Sequence, residues 1–395
     1  MEVGIISLFY KSVNYGGILQ AYALTKFLNQ LDGVEAYQIC YERETERISA
    51  KRIIKVFNIV KLCCYAKGKI NSMLTKKSRQ CVENSIAKKF RPFQLFAEKN
   101  ISKTSNIYNQ HTISACLNNF DAFVVGSDQV WNVKFYDEVY RLEFVSKEKY
   151  KMSYAAGVSS AVLTKEHQNK FRDSLKSFSA ISVREKAAVD TLSPLTNLQV
   201  EWVLDPTLLL SLADWDNICS KKRINEKYVF CYFLGKLSLS NKKIIEFARS
   251  KGLKVVSMPY LAWTSKRDSD FGDYKIYDAT PPDFISLIKH AEYIFTDSFH
   301  ASVFSHIYKR NFFVFNRKGF KAMNDRIYSL TNLFYTGDRF CDSKEKCSLD
   351  YIESLPPVDY DREFPKFEAM KEKSINFLKE NLKKAEEKLD GIDGI

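Results

Sequence analysis

The feature that most constrains this chain is an alternation repeated along its length. A short, wholly apolar run ends in a polar or glycine-bearing loop, and a stretch with helical spacing follows. Val3 to Phe9 reads as a buried strand, Ser12-Val13-Asn14-Tyr15-Gly16-Gly17 supplies a turn, and ILQAYALTKFLNQL carries a helix to Asp32-Gly33. Further strands are expected at Val34 to Tyr41, Asp121 to Val125, Met152 to Val158 and Ala180 to Val183, with helices from about Thr164 to Phe178 and through Leu192. The pattern restarts near Lys227: strand Tyr228 to Leu234, helix Asn241 to Ser250, strand Leu253 to Met258, helix Pro282 to His290, strand Tyr293 to Phe295, a helix from Ala301 and strand Phe312 to Phe315. Apolar runs without alternation belong to strands covered on both faces, and strands alternating with helices give parallel sheets.

A chain of 395 residues accommodates two such units. The expected fold class is α/β, with two doubly wound Rossmann-like domains facing across a cleft. The first occupies residues 1–215 and carries a basic helical insertion at about 45–105; the second occupies 225–360. Val203 to Lys227 reads as the connection. Residues 361–395 form a charged helix with apolar positions at Phe367, Met370, Ile375 and Leu378, expected to cross back to the first domain.

In open parallel sheets ligands bind beyond the carboxyl ends of the strands. Four clusters fall there. In Asn14-Tyr15-Gly16-Gly17 two glycines let a backbone approach a ligand closely, although a plain tight turn reads equally well, and GxGxxG is absent. Ser127, Asp128, Gln129 and Asn132 surround Trp131, a combination that suits the hydroxyls and C–H faces of a sugar. Arg184 ends a strand beside Glu185, either as an internal ion pair or as a two-point clamp for a carboxylate or phosphate. In the segment FTDSFHASVF, Asp297 and Ser298 read as helix caps. His300 stands beyond a strand at a helix start, where an imidazole can exchange protons near neutral pH, whereas His290 and His306 lie within helical stretches.

The nine cysteines are scattered, and the closest pair, Cys63-Cys64, is adjacent; the five histidines show no metal-ligand spacing, so neither a disulfide framework nor a zinc enzyme is expected. Between Arg47 and Lys103 stand 15 Lys or Arg against Glu83 and Glu98, which accounts for the whole net charge of +13. Ile53, Val56, Phe57, Val60 and Cys64 recur there at helical spacing, flanked by Lys51, Arg52, Lys55 and Lys61. This reads either as a packed helix with a solvated basic face or as a surface for anionic lipid; the aromatics do not interleave as nucleic-acid stacking platforms would. The N-terminal MEVGIISLFYKS lacks the basic region and apolar length of a signal peptide, and no apolar span approaches roughly 20 residues, so a cytoplasmic chain is expected.

Five segments together, NYGGILQAYAL (14–24), DAFVVGSDQVWN (121–132), ISVREKAAVDTL (181–192), VLDPTLLL (203–210) and YIFTDSFHASVFSHIYKRNFFVF (293–315), resemble the polysaccharide pyruvyl transferase family. The likeness extends through Arg339. It implies a GT-B-like architecture and transfer of the enolpyruvyl unit of phosphoenolpyruvate, the co-substrate, to a sugar, with no cofactor and no metal. The product is a cyclic ketal, typically across positions 4 and 6 of a hexose such as galactose, on a lipid-linked precursor of a capsular or surface polysaccharide. The enzyme would then work in the cytoplasm, peripherally at the inner membrane face and without nucleic acid.

Carried onto this chain, the resemblance implies that His300 is the general acid/base and that Arg184 and Arg326 bind the anionic donor with Ser298 and His300. Asp128 is a candidate proton acceptor. Asn14, Tyr15, Gly16, Gly17, Gln20, Ser127, Asp128, Gln129, Trp131 and Asn132 would meet the acceptor. Ala301 stands where the family usually has glycine. A GT-B glycosyltransferase using a nucleotide sugar and a catalytically silent sugar-binding protein are the alternatives.

Overall fold

The computed structural model describes residues 1–43, 90–133, 137–158, 163–235, 239–259, 271–317 and 324–393. The expected amphipathic helix from Ile53 to Cys64, with Lys51, Arg52, Lys55 and Lys61, lies outside the described residues.

The first sheet is parallel, with the order β3-β2-β1-β4-β5: β1 Glu2–Ile6, β2 Glu35–Tyr41, β3 Lys103–Tyr108, β4 Ala122–Val125 and β5 Tyr150–Ser153. Every residue of β4 is buried, as are four of the five in β1, because helices cover both faces. Ile5 pairs with Gln38 on one side and Val124 on the other, which fixes β1 at the centre. The edge strand β3 reads KTSNIY and is mostly exposed, so it carries no apolar run by which the sequence would betray it. After helix α1 (Tyr15–Leu28) and the later helices α2 (Lys165–Leu175) and α3 (Lys186–Leu192), a two-stranded parallel sheet appears: β6 Ile181–Val183 with β7 Val200–Trp202. Single bridges, Met152 to Ala180 and Ala156 to Val183, join it to the end of β5.

Within the expected connection, Val203 to Lys227, residues 203–210 are buried, and Val203, Leu204 and Leu208 to Leu210 join the main apolar cluster. Asp205 caps a short turn, Pro206–Leu208, and helix α4 (Leu212–Ile218) begins with a reciprocal Ser211/Asp214 capping box. Trp215 is fully buried; its ring meets Tyr22 and Phe304, and its Nε1 donates to the Thr207 carbonyl at 3.2 Å. A tryptophan committed to both halves cannot lie in a solvated linker.

The second sheet is also parallel, ordered β10-β9-β8-β11-β12-β13: β8 Tyr228–Tyr232, β9 Lys254–Ser257, β10 Tyr274–Lys275, β11 Tyr293–Thr296, β12 Asn311–Phe315 and β13 Phe340–Cys341. Helices α5 (Asn241–Ser250), α6 (Pro281–Lys289), α7 (Phe299–Ile307) and α8 (Asp325–Leu333) alternate with them. In both sheets the chain runs outward from the first strand and then returns to its other side. Each sheet therefore has a switch point, at β1/β4 and at β8/β11, where ligands bind in doubly wound folds. The two doubly wound halves agree with the sequence reading.

Helix α1 joins the halves and is buried at nearly every residue. The Tyr15 ring stacks on Phe284, 4.9 Å between centroids, and its hydroxyl donates to the Ala279 carbonyl at 2.7 Å; both partners belong to the second half. Residues 90–100 are helical, and Phe93 and Phe96 pack on Tyr15 and Tyr22. One apolar cluster runs unbroken from Val3 in the first sheet to Phe340 in the second. The final helix, α9 (Pro365–Asp393), lies against the first half: Tyr150 Oη donates to Asn381, the Leu204 amide donates to Ser374 Oγ, and Phe377 meets Tyr154.

Candidate active site

The carboxyl ends of β1, β4, β6, β7 and β11 converge. After β4, Gly126 takes φ +136, and a Cβ there would stand 1.9 Å from the Tyr154 carbonyl oxygen, so only glycine fits. The turn it permits presents the Ser127 amide to Gln20 Oε1 at 2.9 Å, while Gln20 Nε2 donates to the Gly17 carbonyl. Gln20 is fully buried and staples the first two loops together. Asp128, itself at φ +59, is thereby aimed at Arg184.

Arg184 sits at the end of β6 with its side chain 1% exposed. Its Nη1 donates to Asp205 Oδ2 at 3.0 Å and to Asp128 Oδ1 at 3.4 Å, and its Nε and Nη2 donate to Glu185 Oε1 at 3.3 and 3.2 Å. Burial opposes the charge, but Glu185, Asp128 and Asp205 outweigh it and raise the guanidinium pKa further. The Arg184–Glu185 pair is thus real, and it is one part of a larger cluster. The carboxylates converge on a guanidinium, and among the described residues no group of His, Cys, Asp or Glu is placed to hold a metal ion.

Asp205 is the residue that sequence reasoning missed. Its Oδ1 accepts from the Thr207 amide and hydroxyl at 3.1 and 2.6 Å, the local cap that a LDPT sequence suggests. Its Oδ2 faces the site and accepts from Arg184 and, at 3.3 Å, from Ser127 Oγ. Burial would raise the Asp205 carboxyl, but His300, Arg184 and the Thr207 hydrogen bond together hold it far below the usual carboxylate range. The available signal was its position: like the other clusters, it stands just beyond a strand.

From the second half, His300 enters as the second residue of α7, 6% exposed, with Nε2 3.5 Å from Asp205 Oδ2 and no closer hydrogen-bond partner. Its Nδ1 abuts Gly16, where an added Cβ would lie 1.9 Å away. The Phe299 ring packs against two arginines, with Arg184 Cζ 4.9 Å and Arg326 Cζ 5.6 Å from its centroid. Arg326, from α8, is buried and its Nε has no hydrogen-bond partner. Burial, and next the charge of Arg184, press its pKa down to about 10. Glu185 Oε2 is likewise buried without a donor.

The structure thus brings Gly16, Ser127, Asp128, Arg184, His300 and Arg326 together. Other expected site residues have local duties. Asn14 caps α1, accepting from the Gly16 and Gly17 amides, and Gly17 lies close enough that a Cβ would be 3.6 Å from Asp128 Oδ2. Ser298 Oγ accepts from the Ala301 amide as the cap of α7, and Ala301 is buried in the shared core. Asp297 is tied to the Leu234 amide at 2.6 Å and to Arg317 Nε at 3.1 Å. Asn132 Nδ2 donates to Gln129 Oε1 at 2.9 Å.

Two expectations are corrected. Trp131 is not a sugar platform: it is 2% exposed, its ring is met edge-on by Phe171 and Phe178, and its Nε1 donates to the Tyr140 carbonyl. Tyr15 is not a ligand residue either, because its ring and hydroxyl are spent in the core between the two halves. An aromatic beside polar residues is ambiguous in sequence, and here core packing claims both.

The family model for polysaccharide pyruvyl transferase matches residues 14–319, which include every residue of this cluster except Arg326. The chain belongs to the polysaccharide pyruvyl transferase family. Family membership makes it a transferase of polysaccharide biosynthesis. Among solved structures it is similar to the UDP-GlcNAc 2-epimerase of Neisseria meningitidis bound to UDP-GlcNAc, with 12% identity and TM-score 0.53 over 97% of this chain and 100% of that one. The UDP-GlcNAc 2-epimerase of Methanocaldococcus jannaschii is similar too, with 13% identity and TM-score 0.53 over 93% and 95%. At such identities the likeness extends to the fold, which is GT-B-like. No curated protein matches the sequence. Among the described residues no helix is long and apolar enough to cross a membrane.

Proposed function

We propose that this family member transfers the enolpyruvyl unit of phosphoenolpyruvate to a sugar and closes a cyclic pyruvyl ketal, releasing phosphate and using no cofactor. The observation that carries the reading is Arg326: a buried guanidinium, unbonded at Nε and crowded by Arg184, whose electrostatic need is an anion. Phosphoenolpyruvate brings a carboxylate and a phosphate. Arg326 takes the stronger donor-binding role. Arg184, already committed to three carboxylates, contributes by fixing them and by its place beside Phe299.

His300 as imidazolium gives a proton to the methylene carbon of the enol, which leaves the central carbon electrophilic. A sugar hydroxyl adds there and its proton passes to a carboxylate, for which Asp128 is the candidate. The C–O bond to phosphate breaks, a second hydroxyl of the same sugar adds, and its proton leaves with the phosphate. Both hydroxyl protons are thereby accounted for, one in the new methyl group after His300 is recharged and one on phosphate. A hexose such as galactose satisfies the requirement for two hydroxyls at ketal-forming distance, across positions 4 and 6.

The acceptor in this reading is lipid-linked, and the basic stretch holds the protein peripherally at an anionic membrane face in the cytoplasm. The test is release of inorganic phosphate from phosphoenolpyruvate with lipid-linked hexose acceptors in anionic vesicles, together with mass spectrometry of the product. Phosphate release that requires acceptor, with the mass gain of a pyruvyl ketal and a fall in rate at high salt, is the expected result. Turnover of a nucleotide sugar without phosphoenolpyruvate would overturn the reaction, and a rate indifferent to salt and vesicle charge would overturn the membrane part.

A further inference from the structure

Three groups press on the His300 imidazole from different elements. Asp205, after β7, faces Nε2 at 3.5 Å, and Gly16, at the start of α1, lies against Nδ1. Phe299 packs on the ring from its own helix, 5.1 Å between centroids. The charged groups beyond this first layer are Arg184, which binds Asp205, with Asp128 and Glu185 paired to it, and Arg326, which shares the Phe299 ring with Arg184. The imidazole therefore has one nitrogen turned to a carboxylate and the other beside a glycine that carries no side chain to cover it.

We propose that Asp205 is the positioning residue of this site: it holds His300 with the Nε2 proton directed at its own Oδ2, so that Nδ1 beside Gly16 is the nitrogen that gives up and regains the working proton. This rests on the proton-transfer role of His300 given above. The geometry on the Asp205 side is what makes it suited to the task. Oδ1 is pinned by both donors of Thr207, and Oδ2 is pinned by Arg184 and Ser127, so the carboxylate cannot rotate away from the ring. The same oxygen that receives Arg184 faces His300, so one carboxylate sets the guanidinium of the first half and the acid of the second in register. The division of labour follows from chemistry. A carboxylate that accepts the Nε2 proton leaves only the other nitrogen free to pass its proton to a substrate. The absence of a side chain at residue 16 is required on that side, since a Cβ would stand 1.9 Å from Nδ1.

The test reads the imidazole directly and needs no substrate, so its outcome is separate from that of the transfer reaction. Nitrogen-15 correlation spectra of the wild-type protein, with His300 assigned by comparison with His300→Gln, report the neutral tautomer. The expected result is Nε2–H with bare Nδ1; Nδ1–H with bare Nε2 would overturn the proposal even if Asp205→Asn does not fold. Asp205→Asn keeps the shape and removes the charge, and the Nε2–H tautomer should then lose its dominance. An unchanged tautomer in a folded Asp205→Asn protein would also overturn it. In turnover, kcat of Asp205→Asn should fall on the order of 10²-fold or more with KM for the anionic donor altered far less. A purely structural carboxylate would lower the melting temperature and leave both the tautomer and the kcat of the folded fraction in place.

Discussion

The two ends of helix α7 carry a buried histidine each, and the surroundings of the two rings are opposite. His306, near the C-terminal end, has Nδ1 2.8 Å from the Ser302 carbonyl and Nε2 3.0 Å from Thr336 Oγ1, and its ring lies against Phe312 and Phe334. Both nitrogens are satisfied by neutral partners. His300, at the N-terminal end, has an unsatisfied Nε2 facing a buried carboxylate. His306 is sealed into fixed neutral bonds; His300, the general acid of the proposed reaction, faces a charge and has a nitrogen to spare. The sharpest way to break this comparison is to substitute both. His300→Gln should lower kcat by about 10²- to 10⁴-fold, the range of a lost general acid, with little change in melting temperature. His306→Gln should leave kcat near wild type and cost about 1–3 kcal/mol of stability from misfitted buried hydrogen bonds. Steady-state kinetics and thermal unfolding of the two variants decide it; equal kinetic losses would erase the distinction.

The same contrast recurs in the two arginines that pack against Phe299. Arg184 is surrounded by three carboxylates, and Arg326 is unbonded at Nε. Arg184→Met should destabilise by about 3–5 kcal/mol, because it strands buried carboxylates without a counter-charge. Arg326→Met removes a buried charge that the fold itself does not compensate, so the protein should melt at the wild-type temperature or above it. Its deficit should appear as a raised KM for phosphoenolpyruvate. Unfolding curves together with donor saturation curves would show whether stability and donor affinity separate in this way.

What the sequence disclosed depends on how each residue announces itself. Strands buried on both faces, such as AFVV in β4, are legible as unbroken apolar runs, and their polar sequels located Asp128, Arg184 and His300 without any coordinates. The exposed edge strand β3 has no such run, and the segment 203–218 did not announce the packed roles of Asp205 and Trp215, which are fixed by partners distant in sequence. Trp131 misled for the reverse reason: polar neighbours suggested a surface, whereas Phe171 and Phe178 arrive from a later helix and turn to bury it. Local pattern reports which side of a sheet a residue leaves from. It does not report what comes to meet it, and the difference between His300 and His306 is entirely a matter of what comes to meet them.

The finest test of that difference is a titration of stability. Burial lowers the His306 pKa from 6.5 to about 4, so the folded ring stays neutral where the unfolded chain takes up a proton. A depressed folded-state pKa contributes stability that is fully present above about 6.5 and is lost as pH falls towards about 4, because the unfolded state then binds more protons than the native one. From this single group the loss should be about 1.4 kcal/mol at pH near 5.5. His306→Gln has no such proton to take up. The difference in unfolding free energy between wild type and His306→Gln should therefore shrink as pH is lowered from about 7 to about 5, while the carboxylates common to both cancel. A difference that stays constant across this window would mean that the folded His306 ring takes up its proton as readily as the unfolded chain does, and burial would then not set its titration apart from that of a solvated imidazole.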